Sequence, residues 1–287
     1  MASTLHDLVA AELAEPVDPR VAAMAAAIAA DYPGAARAVL FYGSCLREQQ
    51  LDGLMLDFYL IVSDYRAAYG RGWLAFANRV LPPNVFPFEH DGLAAKYAVL
   101  SEADFHRLNG PEAGDVSVWA RFAQPSRLVW AKDEAARETA VTAVARAAPT
   151  LLGYAVPMTA SAEPLDLWRR GFALTYASEL RAERTGRSGS IVDTDPGRYR
   201  RIGAAALPLA KAGRAADWGR FRRRGKALSV ARLAKATTTY AGGADYLAWK
   251  INRHAGTKIE VKPWQRRWPI LGALTLLPRL LWRGAIR

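Results

Sequence analysis

Residues 37–62 read RAVLFYGSCLREQQLDGLMLDFYLIV, and this stretch narrows the fold more than any other. Arg37 to Tyr42 has the β-branched and aromatic character of a strand, Gly43-Ser44 breaks it, and Asp57 opens a second strand, DFYLIV, that runs to Val62. Strand, small turn and acid-headed strand put backbone amides, a hydroxyl and a carboxylate at one edge of a sheet. Such an edge suits a phosphate chain that carries a divalent cation. Glycine lets the backbone approach the phosphate oxygens and serine donates to them. A helix beginning near Cys45 would aim its free amides the same way, and the carboxylate would hold the cation.

The rest of the chain supplies the scaffold. Asp18-Pro19 starts a capped helix that Pro33-Gly34 ends. A helical stretch from Asp64 through Arg79 stops at Pro82-Pro83. Val85–Glu89 and Leu93–Leu100 form a hairpin turning at Asp91-Gly92. Ser101 to Asp104 is an N-capping box, and Arg127–Trp130, RLVW, is a further strand. From Ala135 the pattern is helical, broken by a loop at residues 183–190 (ERTGRSGS), and basic helices continue to about Lys250 with an interruption at Gly242-Gly243. The expected fold is α+β: a mixed sheet with flanking helices over 1–134, a helical domain over 135–225, and a basic amphipathic segment over 226–287.

Composition excludes several classes. Apolar residues make up 51% of the 287, so the chain is not intrinsically disordered. The one cysteine, Cys45, excludes an internal disulfide and a thiolate-rich metal site, and His6, His90, His106 and His254 lack metal-ligand spacing. No run reaches the ~18 apolar residues that span a bilayer, and the N-terminus has neither signal-peptide nor transit-peptide character. The net charge of +12 is unevenly spread: residues 1–180 carry 15 Lys/Arg against 21 Asp/Glu, and residues 181–287 carry 24 against 6. The second part therefore favours an anionic partner.

The turn-and-acid pattern resembles the DNA polymerase β-like nucleotidyltransferases. Those usually open the second strand with acid-x-acid, whereas here Tyr59 stands at the second position. Asp52, Glu89 and Asp91 are candidates for a supplementary carboxylate, with Glu89 favoured because its strand belongs to the same sheet. Further stretches resemble one branch, the mitochondrial translocator assembly and maintenance family of peripheral CDP-diacylglycerol synthases. They are Tyr42-Gly43-Ser44 with Gln49, Leu56-Asp57-Phe58, Lys96 to Ser101 (KYAVLS), Arg121 with Gln124-Pro125, and Leu174 to Glu179 (LTYASE) with Arg181. They keep their order over roughly residues 38–245. In that branch too, one aspartate is followed by apolar residues, but its glycine after Gly-Ser is Cys45 here. The chain is shorter than the mitochondrial relatives and without a transit segment, as a bacterial member would be.

The resemblance implies a nucleotidyltransferase-type sheet, a winged-helix-like helical domain, and Mg²⁺-dependent transfer of a cytidylyl group from CTP to phosphatidate, with Mn²⁺ or Co²⁺ as substitutes. Asp57 and Lys96 are then the catalytic pair, Asp57 and Glu89 the metal ligands, and Gly43, Ser44 and Arg121 the nucleotide contacts. Lys96 also stands out by itself: unless it lies on a solvent face, an ammonium in the apolar strand AAKYAVL needs an anionic partner, and a triphosphate or a phosphatidate headgroup would serve. Arg232 and Lys235, at i and i+3 on one helix face, are assigned to the lipid phosphate. Trp264, Trp268 and Trp282, interleaved with arginines, are assigned to an anionic membrane surface. The expected location is cytoplasmic, on the inner face of the cell membrane. Two other readings stay open: a nucleotidyltransferase acting on nucleic acid or a small molecule, and a non-catalytic membrane-associated module. The terminal Trp/Leu/Arg stretch makes nucleic acid the poorer partner.

Overall fold

The computed structural model describes residues 4–48, 51–70, 72–161, 163–179 and 187–239. Helices α1 (Leu5–Leu13) and α2 (Pro19–Ala30) lead into the sheet. Thr4 and Asp7 cap α1 reciprocally, and the Asp18 side chain caps α2, with Pro19 in its first turn. Strand β1 (Ala36–Tyr42) ends at Gly43, and the short helix α3 (Ser44–Glu48) follows at once. Strand β2 (Met55–Val62) begins two residues before Asp57. The helical stretch expected over 64–79 is two helices, α4 (Tyr65–Ala68) and α5 (Gly72–Val80), because Tyr69 turns extended before Gly70.

Strands β3 (Asn84–His90) and β4 (Leu93–Ser101) form the anticipated hairpin. Asp91 and Gly92 both have positive φ, 48° and 74°, as a tight two-residue turn requires. After α6 (Glu102–Leu108) and α7 (Trp119–Phe122), β5 (Ser126–Ala131) completes the sheet in the order β3-β4-β2-β1-β5. Only β2 and β4 pair in parallel. The protein is thus α+β with a mixed five-stranded sheet.

Helices α8 (Glu134–Ala145), α9 (Ala147–Ala155), α10 (Pro164–Ser178), α11 (Arg187–Thr194), α12 (Pro196–Ala206) and α13 (Asp217–Thr239) make up the remainder. The loop expected over 183–190 is already helical from Arg187, and residues 183–186 lie outside the described part. Helix α13 runs unbroken across residues 225 and 226, where the sequence places a domain boundary. The boundary at 134 is also bridged. Leu40, Tyr59, Ile61 and Leu100 of one sheet face share a core with Trp119, Leu151, Trp168, Phe172 and Phe221 of the helices. The opposite face, with Val39, Phe58, Leu60 and Val99, packs on Met24 and Ile28 of α2. This alternation is the period of two that strands impose. Among the described residues no helix is long and apolar enough to cross a membrane.

Candidate active site

Alternation along β2 places Asp57 on the same face as Tyr59 and Ile61, but beyond the end of the apolar stripe. The register then fixes its neighbours. Asp57 pairs with Tyr42 of β1 on one side and with Lys96 of β4 on the other. The Lys96 Nζ lies 2.8 Å from Asp57 Oδ1, with the two side chains 28% and 20% exposed. The lysine in the apolar strand therefore has its anion, and the pair faces an accessible edge rather than the core.

The turn above Asp57 strongly favours glycine. Gly43 has φ +100°, a conformation that residues with side chains rarely adopt, and a Cβ built on it would stand 3.0 Å from Asp57 Oδ2. One carboxylate oxygen is thus held by Lys96 while the other lies under the Gly43 backbone, where Ser44 starts α3. The sequence anticipated Asp57 beside Gly43-Ser44, but expected a triphosphate or phosphatidate headgroup rather than Asp57 as the partner of Lys96. Cys45, in place of the family's glycine, is buried, and its thiol donates to the Met55 carbonyl at 3.5 Å.

A second layer lies behind this edge, and of its members the sequence gave a role only to Arg121, as a nucleotide contact. Burial raises Tyr42 well above the ordinary tyrosine range. The Asp57 charge adds to that rise and Arg121 opposes it, so the hydroxyl lies within electrostatic reach of both. Tyr59 is raised as well, first by burial. Both phenols are neutral donors at physiological pH. Arg121 donates to the Ser117 carbonyl and to Glu179 Oε1, the latter at 3.2 Å. Burial works against its charge, the Glu179 charge and hydrogen bond oppose that, and the guanidinium stays protonated. Arg121 thus acts on Tyr42, the neighbour of Asp57 in the register, with Glu179 as its own counter-charge. Glu179 had appeared in the sequence as part of LTYASE, without a function attached.

The supplementary carboxylates expected from the sequence do not converge on Asp57. Glu89 pairs with Ala94 at the exposed end of β3. That is two strands away and two residues along, roughly 12 Å from Asp57 by strand spacing and rise. Asp52 is exposed and paired with Arg20 at 2.9 Å, and Asp91 is exposed beside His90. Among the described residues no cluster of three His, Cys, Asp or Glu side chains could enclose a metal. The donor set still fits Mg²⁺ of one kind. This ion keeps its waters and commonly binds through one or two carboxylates plus substrate phosphates, rather than in an all-protein cage.

Arg232 and Lys235 share a helix face, as expected, but protein groups engage both. Arg232 Nη2 lies 3.0 Å from Asp115 Oδ2, its Nη1 donates to Ser117 Oγ at 3.2 Å, and its Nε donates to the Pro82 carbonyl at 2.8 Å. Lys235 donates to the carbonyls of Leu81 and of Pro83, the latter at 2.8 Å. Burial, and then the Arg232 charge, bring the Lys235 ammonium down to about 7. These two side chains therefore clasp α13 to the loop before β3. Nothing in the sequence around Asp115 signals its part in the clasp. Trp264, Trp268 and Trp282 lie outside the described residues.

The clasp makes a stability prediction. Asp115 is 7% exposed and Arg232 18%. Removing one partner of such a pair strands the other charge, which typically costs about 3–5 kcal/mol. Arg232→Met should therefore lower the urea midpoint strongly at unchanged slope, and adding Asp115→Asn should restore part of the loss. The pair is also acid-sensitive. Burial raises the Asp115 carboxyl, but Arg232 and the Ser117 hydrogen bonds outweigh it and hold it below the usual aspartate value. Its contribution is complete above the unfolded aspartate pKa of about 3.9 and is lost as pH falls through the lower folded value. In Asp115→Asn/Arg232→Met that acid limb should flatten.

No family model matches the chain, and no curated protein matches it significantly.

Proposed function

We propose that the protein is a phosphatidate cytidylyltransferase that works at a membrane surface, converting CTP and phosphatidate to CDP-diacylglycerol and pyrophosphate. The observation that carries this reading is the Asp57 carboxylate lying under the Gly43 turn at the start of α3, with Lys96 on its other oxygen. A turn that strongly favours glycine, an acid directly below it and a cation beside them is the equipment of phosphoryl-type transfer, which needs positioning and charge neutralisation above all. The choice of CTP and phosphatidate rests on the family resemblance of the residues around it. A nucleotidyltransferase-type sheet and a winged-helix-like helical part belong to the same proposal.

In this reading Asp57 holds the Mg²⁺ that accompanies the triphosphate, and the ion neutralises charge on the phosphates. The Gly43 and Ser44 backbone lies along the phosphate chain, and Ser44 donates to it. Phosphatidate arrives as an anion, so its phosphate oxygen attacks the α-phosphorus without a protein base. The bond from the α-phosphorus to the bridging oxygen breaks, and that electron pair leaves with pyrophosphate. Lys96 turns from Asp57 to the charge that builds on the phosphoryl oxygens. Arg121, through Tyr42, orients the edge from behind.

The test is to incubate purified protein with Mg²⁺, each nucleoside triphosphate in turn and phosphatidate vesicles, and to measure pyrophosphate and lipid product. The proposal expects both only with CTP and phosphatidate together. Pyrophosphate release with a nucleic acid or a soluble acceptor instead would overturn it. Lys96→Met carries a second expectation. Turnover should fall about 30-fold, or ~2 kcal/mol of transition-state charge stabilisation. Mn²⁺ should bind more tightly, because the ammonium that occupies Asp57 Oδ1 is gone.

A further inference from the structure

Helix α5 leaves an apolar face in water. Trp73, Phe76 and Val80 are 49%, 70% and 65% exposed. Their spacing of i, i+3 and i+7 puts them on one face. Of the five large apolar side chains most exposed among the described residues, three belong to this one helix, so the exposure is concentrated rather than scattered. The opposite face is firmly held. Ala75 and Asn78 are buried, and Asn78 donates to the Val99 carbonyl of β4 at 2.9 Å. The helix is therefore a rigid part of the sheet's flank, with its hydrophobic side turned outward by construction.

Within the stretch from Tyr65 to Phe88 the charge is of one sign: it carries Arg66, Arg71 and Arg79 and no carboxylate, with Asp64 and Glu89 flanking it. Arg79 is exposed on the same side as Phe76. The residues just after α5 are the loop that Arg232 and Lys235 clasp. Helix α13, which supplies that clasp, exposes Arg222, Arg223 and Lys226 roughly two to three turns earlier. Tryptophan and phenylalanine beside an exposed arginine match the boundary between lipid headgroups and acyl chains, where rings sit at the interface and cations meet lipid phosphates. An acidic protein surface would satisfy the charges but not three large apolar side chains projecting together from one short helix.

We infer that α5 is a membrane-docking element, which seats Trp73, Phe76 and Val80 in the headgroup boundary of an anionic bilayer with Arg79 at the level of the phosphates. The assignment deepens the proposed function, since an enzyme acting on phosphatidate must sit where that lipid is. It adds a docking site on the flank of the sheet. Because β4, which holds Lys96, anchors α5 through Asn78, docking would fix the Asp57 edge relative to the lipid surface.

The experiment uses the full chain and neither CTP nor metal, so its result is independent of whether cytidylyl transfer occurs. The single native cysteine, Cys45, is 3% exposed. Phe76→Cys therefore offers the one exposed thiol for an environment-sensitive fluorophore. With phosphatidylcholine vesicles containing phosphatidate, the label should shift to the blue and brighten; with phosphatidylcholine alone it should stay in water. In the unlabelled chain, Trp73→Ser/Phe76→Ser/Val80→Ser should weaken vesicle partitioning about tenfold or more with its melting transition retained. A label that reads apolar before lipid is added means that a second copy or another part of the chain covers the face, and overturns the inference. So does a label that stays in water while the protein floats with the vesicles.

Discussion

Asp57→Asn is expected to abolish phosphatidate-dependent release of pyrophosphate from CTP, by at least ~10³-fold in kcat/KM. The substitution keeps the shape of the side chain and removes its charge. In the folded chain that charge has two duties. It balances Lys96 at 2.8 Å, and it presents the second oxygen beneath the Gly43 turn. Among the described residues no cluster of three metal-ligating side chains surrounds Asp57 to share the work proposed for it. Loss of the proposed anionic ligand would remove several kcal/mol of transition-state charge stabilisation, and ~4 kcal/mol is about 10³ in rate. Folding should be little affected, since the edge is accessible and the amide can still accept from Lys96. The readout is steady-state kinetics beside an unchanged thermal transition.

The second large effect is expected at Gly43. An alanine there meets two obstacles that can be separated. The first is the backbone conformation at φ +100°, which costs a side-chain-bearing residue about 1–3 kcal/mol. The second is the Asp57 carboxylate, 3.0 Å from where the Cβ must go. Gly53 provides the control: it has φ +72° but nothing within 4 Å of its built Cβ. Gly53→Ala should therefore lower stability while leaving turnover nearly intact. Gly43→Ala should lower stability by a similar amount and also reduce turnover by about 10²-fold or more, because the carboxylate must move away from the phosphate turn. Equal kinetic effects of the two substitutions would mean that the Gly43–Asp57 contact has no catalytic consequence.

What the sequence revealed and what it hid have a common physical reason. Local signals were legible. The break at Gly43-Ser44, the apolar strand carrying Asp57 and the Asp91-Gly92 turn each rest on the conformational demands of a few adjacent residues; the break and the turn stand where they were read, and the strand begins two residues before Asp57. The Lys96–Asp57 pair was half legible: a lone lysine in AAKYAVL announced the need for an anion, but only the parallel register of β4 on β2 identifies Asp57 as that anion. The remainder depends on packing between distant segments. Glu89 looked close because it shares the sheet, yet the register sets it two strands away. Arg232 and Lys235 looked available for a phosphate, yet Asp115, Ser117 and the carbonyls of residues 81–83 engage them across more than a hundred positions. Glu179 became part of the Arg121 environment only once α7 and the end of α10 were brought together. The exposed face of α5 was hidden by reading 64–79 as one helix, which obscured where its apolar side begins.

The central claim is that Asp57 grips a divalent cation against a triphosphate seated on the Gly43 turn. Electron paramagnetic resonance of Mn²⁺ with CTP, titrated with the wild-type chain and with Asp57→Asn, addresses it without relying on catalysis. The claim predicts that the wild-type chain takes up the Mn²⁺–CTP complex, broadening the free-ion signal, and that Asp57→Asn weakens this uptake by about 30-fold or more, ~2 kcal/mol. Equal uptake by both chains would place the cation elsewhere and contradict it.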